Sequence, residues 1–225
     1  KIDNIVVHRS WIYISNNRGI IARLLNYFSF LLTSIIKGLF LKSFDYIYCE
    51  SPPLFLSYSA FTIAWFKKSK VIFNVSDLWP ESAKKLNIVT SRFLLKLASR
   101  LESKSYKKSF LVTAQTQGII KSINSRFPDV RTHWFPNGID IDIFKNVIPD
   151  SDFNTRYNLH DKKVFMYAGV LGHAQGLEVI IKAAKELENQ KDIQFVIIGD
   201  GPLKTELINL NNNLQSNLLF IPNTE

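Results

Sequence analysis

The sequence predicts an α/β fold with parallel sheets, divided into two domains. Three observations carry that expectation. Short apolar, β-prone runs alternate with helical patterns along the whole chain, which implies parallel sheets covered by helices on both faces. One such run, VFMY at 164–167, breaks at Gly169 and Gly172 and restarts at Gly176 as a helical pattern of Leu177, Val179, Ile180, Ile181, Ala183, Ala184 and Leu187. The charge balance also changes along the chain. Residues 1–145 carry 21 Lys and Arg against 9 Asp and Glu, and residues 146–225 carry 7 against 10, so a net +12 gives way to −3. The domains are therefore expected at 1–145 and 146–225.

Residues 2–7 read as a strand. Residues 24–41, LLNYFSFLLTSIIKGLFL, form an apolar run interrupted by Asn26, Ser29, Thr33, Ser34 and Lys37. A membrane-spanning helix needs roughly 20 mostly apolar residues. Three readings stay open for this run: a helix packed on a sheet, a helix lying in a membrane interface, and a span. A strand at 46–49 ends in the proline turn Ser51-Pro52-Pro53, and a helix covers 54–66. The next strand, 71–75, runs into Ser76-Asp77-Leu78-Trp79-Pro80-Glu81. Helices at 93–106 and 118–125 alternate with strands at 110–114 and 132–135. Asn137-Gly138 marks a turn, Asp140 can cap the short stretch after it, and 150–158 reads as a polar loop. The second domain continues as a strand from Val164, a helix at 177–187 and a strand at 195–198. Gly199-Asp200-Gly201-Pro202 comes next, with Pro at a helix start. A helix at 203–210 and a strand at 218–221 complete the pattern. Ligands of such sheets bind beyond the carboxyl ends of the strands, which places residues 50–53 and 76–81 at a rim.

Hydrophobic residues make up 46% and charged residues 21% of the 225, an ordinary globular balance with no low-complexity tract. Cys49 is the single cysteine, so no intramolecular disulfide forms; this fits a reducing compartment. The chain opens on Lys1 and reads as an internal piece of a longer protein. Its basic first half suits an anionic partner: a membrane surface, a phosphorylated acceptor or nucleic acid. No nucleic-acid motif accompanies the charge, which makes that partner the weakest of the three. Arg92, Lys96, Arg100, Lys104 and Lys108 recur every four residues, with Phe93, Leu94, Leu97 and Leu101 on the other side. That is a membrane-surface pattern, and a solvated helix face is the plainer alternative. His8, His133, His160 and His173 lack ligand spacing. Asp140-Ile141-Asp142 has the spacing of a metal-binding Asp-x-Asp, but Asp140 is already explained by the turn. No metal and no cofactor are expected.

The stretch 164–177 carries the chemistry. A glycine loop lets backbone approach a phosphate, and the first free N–H groups of the following helix point at it. We read it as a cradle for the diphosphate of a nucleotide-sugar, against the plainer reading of a βα turn without ligand. His173 lies inside the loop.

Several separated motifs then agree. Asn137-Gly138-Ile139-Asp140 followed by Phe144, Tyr167-Ala168-Gly169 with Gly172 and Gly176-Leu177, and Ile198-Gly199-Asp200-Gly201-Pro202 resemble glycosyltransferase family 4 in order and spacing. Ser51-Pro52-Pro53-Leu54 and Asp77-Leu78-Trp79-Pro80-Glu81 resemble a bacterial branch that includes fucosamine-type transferases of surface-polysaccharide assembly. The resemblance implies a GT-B architecture of two Rossmann-like domains, both incomplete here. The first would take a lipid-linked or glycan acceptor and the second a nucleotide-diphosphate sugar. It implies metal-independent transfer with retention, by a protein on the cytoplasmic, anionic inner face of the plasma membrane. By matching position, Gly169, Gly172, Gln175, Gly176, Gly199 and Gly201 are the donor-binding residues. Glu50, Ser51 and Asp77 are acceptor-side, and Asn137 and Gly138 lie at the interdomain crossing. The family often has Arg where Val170 stands and Lys where Gln175 stands, and many members have His where Ser76 stands. The family's catalytic glutamate and the branch's Pro-Ser-Lys stretch are expected beyond Glu225. Two other classes share the features: a sugar-nucleotide epimerase of the same architecture, and a membrane-surface binding module.

Overall fold

A computed structural model describes residues 5–15, 20–86, 89–145, 151–211 and 217–222. The chain divides into two compact units, Lys1–Ile139 and Asp140–Glu225. That division falls a few residues ahead of the change in charge at 145.

The first unit runs α1 (Ile20–Phe40), β1 (Tyr46–Ser51), α2 (Leu56–Lys67), β2 (Lys70–Val75), α3 (Glu81–Lys85), α4 (Arg92–Lys108), β3 (Leu111–Ala114), α5 (Gln117–Arg126) and β4 (Thr132–Trp134). All four strands are parallel, in the order β1-β2-β3-β4. Parallel neighbours taken in sequence need right-handed crossovers, which set every connecting helix on one face. The core reflects this: Cys49, Val71, Phe73, Val75, Val112 and Ala114 meet Ala60, Ala64, Tyr106 and Ile123 of the helices. The opposite face carries Tyr46, Tyr48 and Glu50, all exposed. On that same face Asn74 and Thr113 are buried, so the exposure lies at its β1 edge.

The polar interruptions in the 24–41 run have docking roles. Asn26 Nδ2 donates to the Tyr13 carbonyl (2.7 Å), Thr33 Oγ1 to the Trp11 carbonyl (2.6 Å), and Ser29 Oγ accepts from the Tyr13 N–H (2.9 Å). Ser34 and Ser59 share a hydroxyl bond of 2.8 Å between α1 and α2. Gly38 lets Ile63 pack where a Cβ would meet it at 2.5 Å. One face of the run is therefore packed on protein, while Leu25, Phe28, Leu32, Ile36 and Phe40 stay exposed, and no helix among the described residues is long and apolar enough to cross a membrane. The strand expected at 2–7 falls partly outside the described residues, and only Ile5 makes a β-bridge. The backbone at 11–13 is satisfied by side chains of α1 rather than by a neighbouring strand.

α4 is anchored by its second half. Glu102 is buried and forks onto Arg126 of α5, at 3.0 and 2.9 Å. The Tyr106 ring lies edge-on to Phe127 at 5.4 Å, and burial beside Glu102 holds its phenol well above the ordinary range. Ser105 Oγ donates to Ser57 Oγ of α2 at 2.8 Å.

The second unit runs α6 (Asp142–Lys145), α7 (Ser151–Arg156), β5 (Lys163–Ala168), a single 3-10 turn at His173–Gln175, α8 (Glu178–Glu186), β6 (Ile193–Ile198), α9 (Lys204–Asn211) and β7 (Leu218–Ile221). Its strands are parallel in the order β5-β6-β7. α8 and α9 cover one face through Leu177, Ile181, Ala184, Leu203 and Leu207 on Phe195 and Ile197. The other face is covered by α7 and the turn after it, where a polar loop was expected. Phe153 and Tyr157, one helical turn apart with rings 4.8 Å between centroids, pack with Leu159 on Val196 and Ile221.

Cys49 sits on the helix-covered face of β1, and burial pushes its thiol up to about 12. At pH 8 the thiolate is then about one part in ten thousand. Iodoacetamide at pH 8 is expected to leave the native chain unmodified and to label it fully in urea, read by intact mass; rapid native labelling would contradict this packing.

Candidate functional site

Each unit has a polar constellation at the carboxyl end of its sheet. In the second unit, two loops lock together there. Ala168 and Ile198 are register partners at the ends of β5 and β6. Gly169 N–H donates to the Ile198 carbonyl (3.0 Å), Leu171 N–H to the Asp200 carbonyl (2.9 Å), and Leu203 N–H to the Leu171 carbonyl (3.0 Å). Contact this close excludes side chains. A Cβ on Gly199, which has φ +152°, would stand 1.9 Å from the Gly169 oxygen, and one on Gly201 would stand 2.4 Å from the Leu171 oxygen. Gly199 and Gly201 therefore let the first loop lie against the second. Leu171, buried in the core below, pins the crossing.

Beyond that crossing the chain makes its 3-10 turn, and Gly176 ends it in the left-handed region at φ +61°. The helix restarts at Glu178, two residues later than Gly176. Several loop amides are already bonded inside the protein: Gly169, Leu171, Gly172 (to Val170 O, 3.1 Å) and Gln175 (to Gly172 O, 3.2 Å). Val179 and Ile180 turn back to Gly176 and Leu177. The amides left for a ligand are at the far end of the loop, from His173 and Ala174 to Leu177 and Glu178, where a helix start has no intrahelical acceptor for its N–H groups. Tyr167 Oη donates to the Val170 carbonyl at 2.9 Å and braces the near end. Val170 is exposed, and the Gln175 side-chain oxygen is folded toward Gly172, 2.9 Å from where a Cβ would be. Lys204 is the nearby cation, and it lies 3.7 Å from Asp200. The loop thus offers backbone donors and little formal charge.

In the first unit, Glu50, Asn74 and Thr113 are register neighbours across β1, β2 and β3. Thr113 Oγ1 donates to Asn74 Oδ1 (2.7 Å), and Asn74 Nδ2 donates to Glu50 Oε2 (2.8 Å). Ser76 Oγ donates to the other carboxylate oxygen of Glu50 and accepts from Gln115 Nε2 (2.7 Å). Trp134 Nε1 donates to the Gln115 carbonyl at 3.2 Å. Both oxygens of an exposed carboxylate are therefore held in place at the strand ends. Of the other acceptor-side residues, Ser51 is buried on the helix-covered face, away from Glu50. Asp77 accepts from Ser82 Oγ of α3, a side-chain tie to that helix; it does not cap it, since the N-cap position is Pro80 and has no side-chain cap. Asn74, Thr113, Gln115 and Tyr167 were not among the expected site residues. The signal for Asn74 was available, since it is a lone amide inside the apolar run of β2.

Asn137 and Gly138 are exposed in coil just ahead of the division between the units. Asp140 accepts from the Asp142 N–H (3.0 Å) and Asp142 pairs with Lys145 (2.6 Å), so both acids have local partners. Among the described residues, no group of three or more His, Cys, Asp or Glu side chains could hold a metal ion.

With the geometry in place, comparison with known proteins is informative. Residues 150–225 match the family model described as glycosyl transferases group 1. Alpha-D-kanosaminyltransferase of Streptomyces kanamyceticus is 40% identical over 58 residues, 25% of this chain and 15% of that one. WcaI of Escherichia coli (strain K12), named for colanic acid biosynthesis, is 38% identical over 78 residues, 33% of this chain and 19% of that one. In structure, Anabaena HepE in complex with UDP-glucose superposes with a TM-score of 0.64 at 16% identity, over 92% of this chain and 54% of that chain. The chain therefore spans about half the length of such solved structures. The likeness shows the fold: α/β, parallel-sheeted and of the GT-B type.

Two substitutions check the geometry. Gly199→Ala forces the two loops apart and is expected to cost about 1–3 kcal/mol or more, with faster hydrogen exchange at the Gly169 and Leu171 amides. Asn74→Ala leaves Thr113 and Glu50 without their partner, costing about 1–3 kcal/mol in urea unfolding.

Proposed function

We propose that this chain forms the acceptor-side unit and the opening part of the donor-side unit of a retaining, metal-independent glycosyltransferase. It moves a sugar from a nucleotide-diphosphate donor to a lipid-linked glycan acceptor in bacterial surface-polysaccharide assembly. The branch is that of the fucosamine-type transferases, and the protein works peripherally at the cytoplasmic face of the plasma membrane. One observation carries the reading: within the segment that matches group 1 glycosyl transferases, the interlocked loops hold a short turn in which Gln175 N–H is bonded internally, while the amides of His173, Ala174, Leu177 and Glu178 have no acceptor within the loop. HepE, solved with UDP-glucose, supports a nucleotide-sugar as donor, and WcaI's name supports a place in polysaccharide synthesis.

The chemistry rests on charge. Breaking the bond between sugar and diphosphate concentrates negative charge on the leaving phosphate. Donors already aimed at that oxygen stabilise it without reorganising. The amides of His173, Ala174, Leu177 and Glu178 and the N-terminus of α8 supply the donors, and Gly176 lets the backbone come close. Gln175 can turn its amide outward, and His173 adds a ring N–H. On the acceptor side, Glu50 is held by Asn74 and Ser76 so that its outer edge accepts a hydrogen bond from a sugar hydroxyl. None of these residues is assigned as the catalytic carboxylate, and isolated residues 1–225 are expected to transfer no sugar.

Titration of the 15N-labelled chain with UDP is expected to shift the amide resonances at 173–178 while those of Asn74 and Gln115 stay in place. Unmoved loop resonances would remove the donor assignment. Gln175→Lys restores a cation where the family often has one. It is expected to tighten UDP binding about tenfold, the scale of one charge-assisted hydrogen bond; unchanged affinity would show that phosphate does not reach this turn.

A further inference from the structure

We propose that the first unit lies on an anionic phospholipid bilayer by the sheet end that carries Glu50, Asn74 and Ser76, with the start of α4 as the principal contact. The inference rests on the reading of this unit as the side that takes a membrane-borne acceptor, and it names the surface that reaches it.

The distribution of burial along α4 points there. Its buried residues are Glu102, Ser105 and Tyr106, all in the second half. In the first two turns Leu95 and Ala98 are half-buried, but Phe93, Leu94 and Leu97 are 74%, 52% and 55% exposed. Arg92, Lys96 and Arg100 are exposed beside them. The helix has one carboxylate, Glu102, and Arg126 neutralises it in the interior. From the neighbouring α3, Glu81 is paired with Lys85 at 2.7 Å. The surface presented is thus large apolar side chains flanked by cations.

Topology fixes which end of the sheet this is. α4 leaves the carboxyl end of β2 and returns to the amino end of β3, so its start is at the Ser76 end. α1 adds to the same end. Phe28 stacks on Phe55, at 5.3 Å between centroids, just ahead of α2. Leu24, Leu25 and Phe28 are themselves exposed. Cations that ring aromatic and aliphatic side chains match the chemistry of a headgroup layer over acyl chains. A second copy of the chain would bring like charges together on the same patch, which disfavours it as the occupant.

The test uses the whole 225-residue chain and vesicles of phosphatidylcholine with or without phosphatidylglycerol. Sedimentation is expected to show binding only to the anionic vesicles. Arg92→Gln with Lys96→Gln is expected to weaken it about thirty-fold, the scale of two basic contacts. Phe93→Ser with Leu97→Ser is expected to weaken it about tenfold or more. Lys68→Gln with Lys107→Gln removes the same charge from the other end of the sheet. Lys107 is about 22 Å along α4 from Arg92, beyond a Debye length of about 8–10 Å, so this pair is expected to cost less than about threefold. A dye on Leu97→Cys should shift to the blue with anionic vesicles and one on Lys68→Cys should not, which reads placement without loss of binding. Equal losses from the two charge pairs, equal dye shifts, or no binding by the unaltered chain would overturn the proposal. So would lipid-independent self-association abolished by Phe93→Ser. The UDP titration reads the second unit in the absence of lipid, so either proposal can fail alone.

Discussion

The second unit depends on a contact between two pieces of backbone. Where β5 and β6 end, the loops that leave them cross so closely that neither Gly199 nor Gly201 can carry a Cβ. Three backbone hydrogen bonds and the buried Leu171 fix the crossing. Everything beyond it is positioned from that point: the 3-10 turn, the left-handed Gly176 and the start of α8. This changes how the glycines are understood. The spaced glycines of the first loop suggested an opening for phosphate, and Gly199 and Gly201 of the second loop are what let the first lie against it. The approach to a ligand is left to Gly176 and the amides around it.

The first unit solves a different problem. Its four strands pair in sequence order, so right-handed connections load all the crossover helices onto one face. The opposite face ends in the chain of polar contacts from Thr113 to Asn74 to Glu50. A carboxylate at a strand end would ordinarily swing in water. Here two donors hold its oxygens, and those donors are held by Thr113 and Gln115 in turn. Side-chain entropy is lost in folding rather than on ligand arrival.

Much of the fold was legible because its signals are local. The β5 strand, the glycine break and the α8 helix are set by period and punctuation, as are the strand at 218–221 and most of β1, read as 46–49 and found as Tyr46–Ser51. The failures have physical causes. Residues 150–158 look polar, yet Phe153 and Tyr157 are one turn apart and find Val196 and Ile221 in three dimensions. The apolar run of α1 was ambiguous because four of its interruptions, Asn26, Ser29, Thr33 and Ser34, gain meaning only from partners elsewhere, at 11–13 and in α2. The site was legible in part. Glu50 stood out by its place at a strand-end rim and the loop glycines by motif, whereas Asn74, Thr113 and Gln115 are joined across strands by register, which sequence spacing does not reveal. Ser51 shows the same limit: one residue along a strand reverses the face, and it lies under the helices while Glu50 faces out.

The uneven anchoring of α4 has a mechanical consequence. The fork between Glu102 and Arg126, the Ser105–Ser57 bond and the Tyr106 ring clamp the far half of the helix into the core, while the near half carries no buried side chain. The helix is built as a cantilever. A force applied at its free end is carried by the fixed end into α5 and α2, leaving the strand ends and the carboxylate they hold undisturbed.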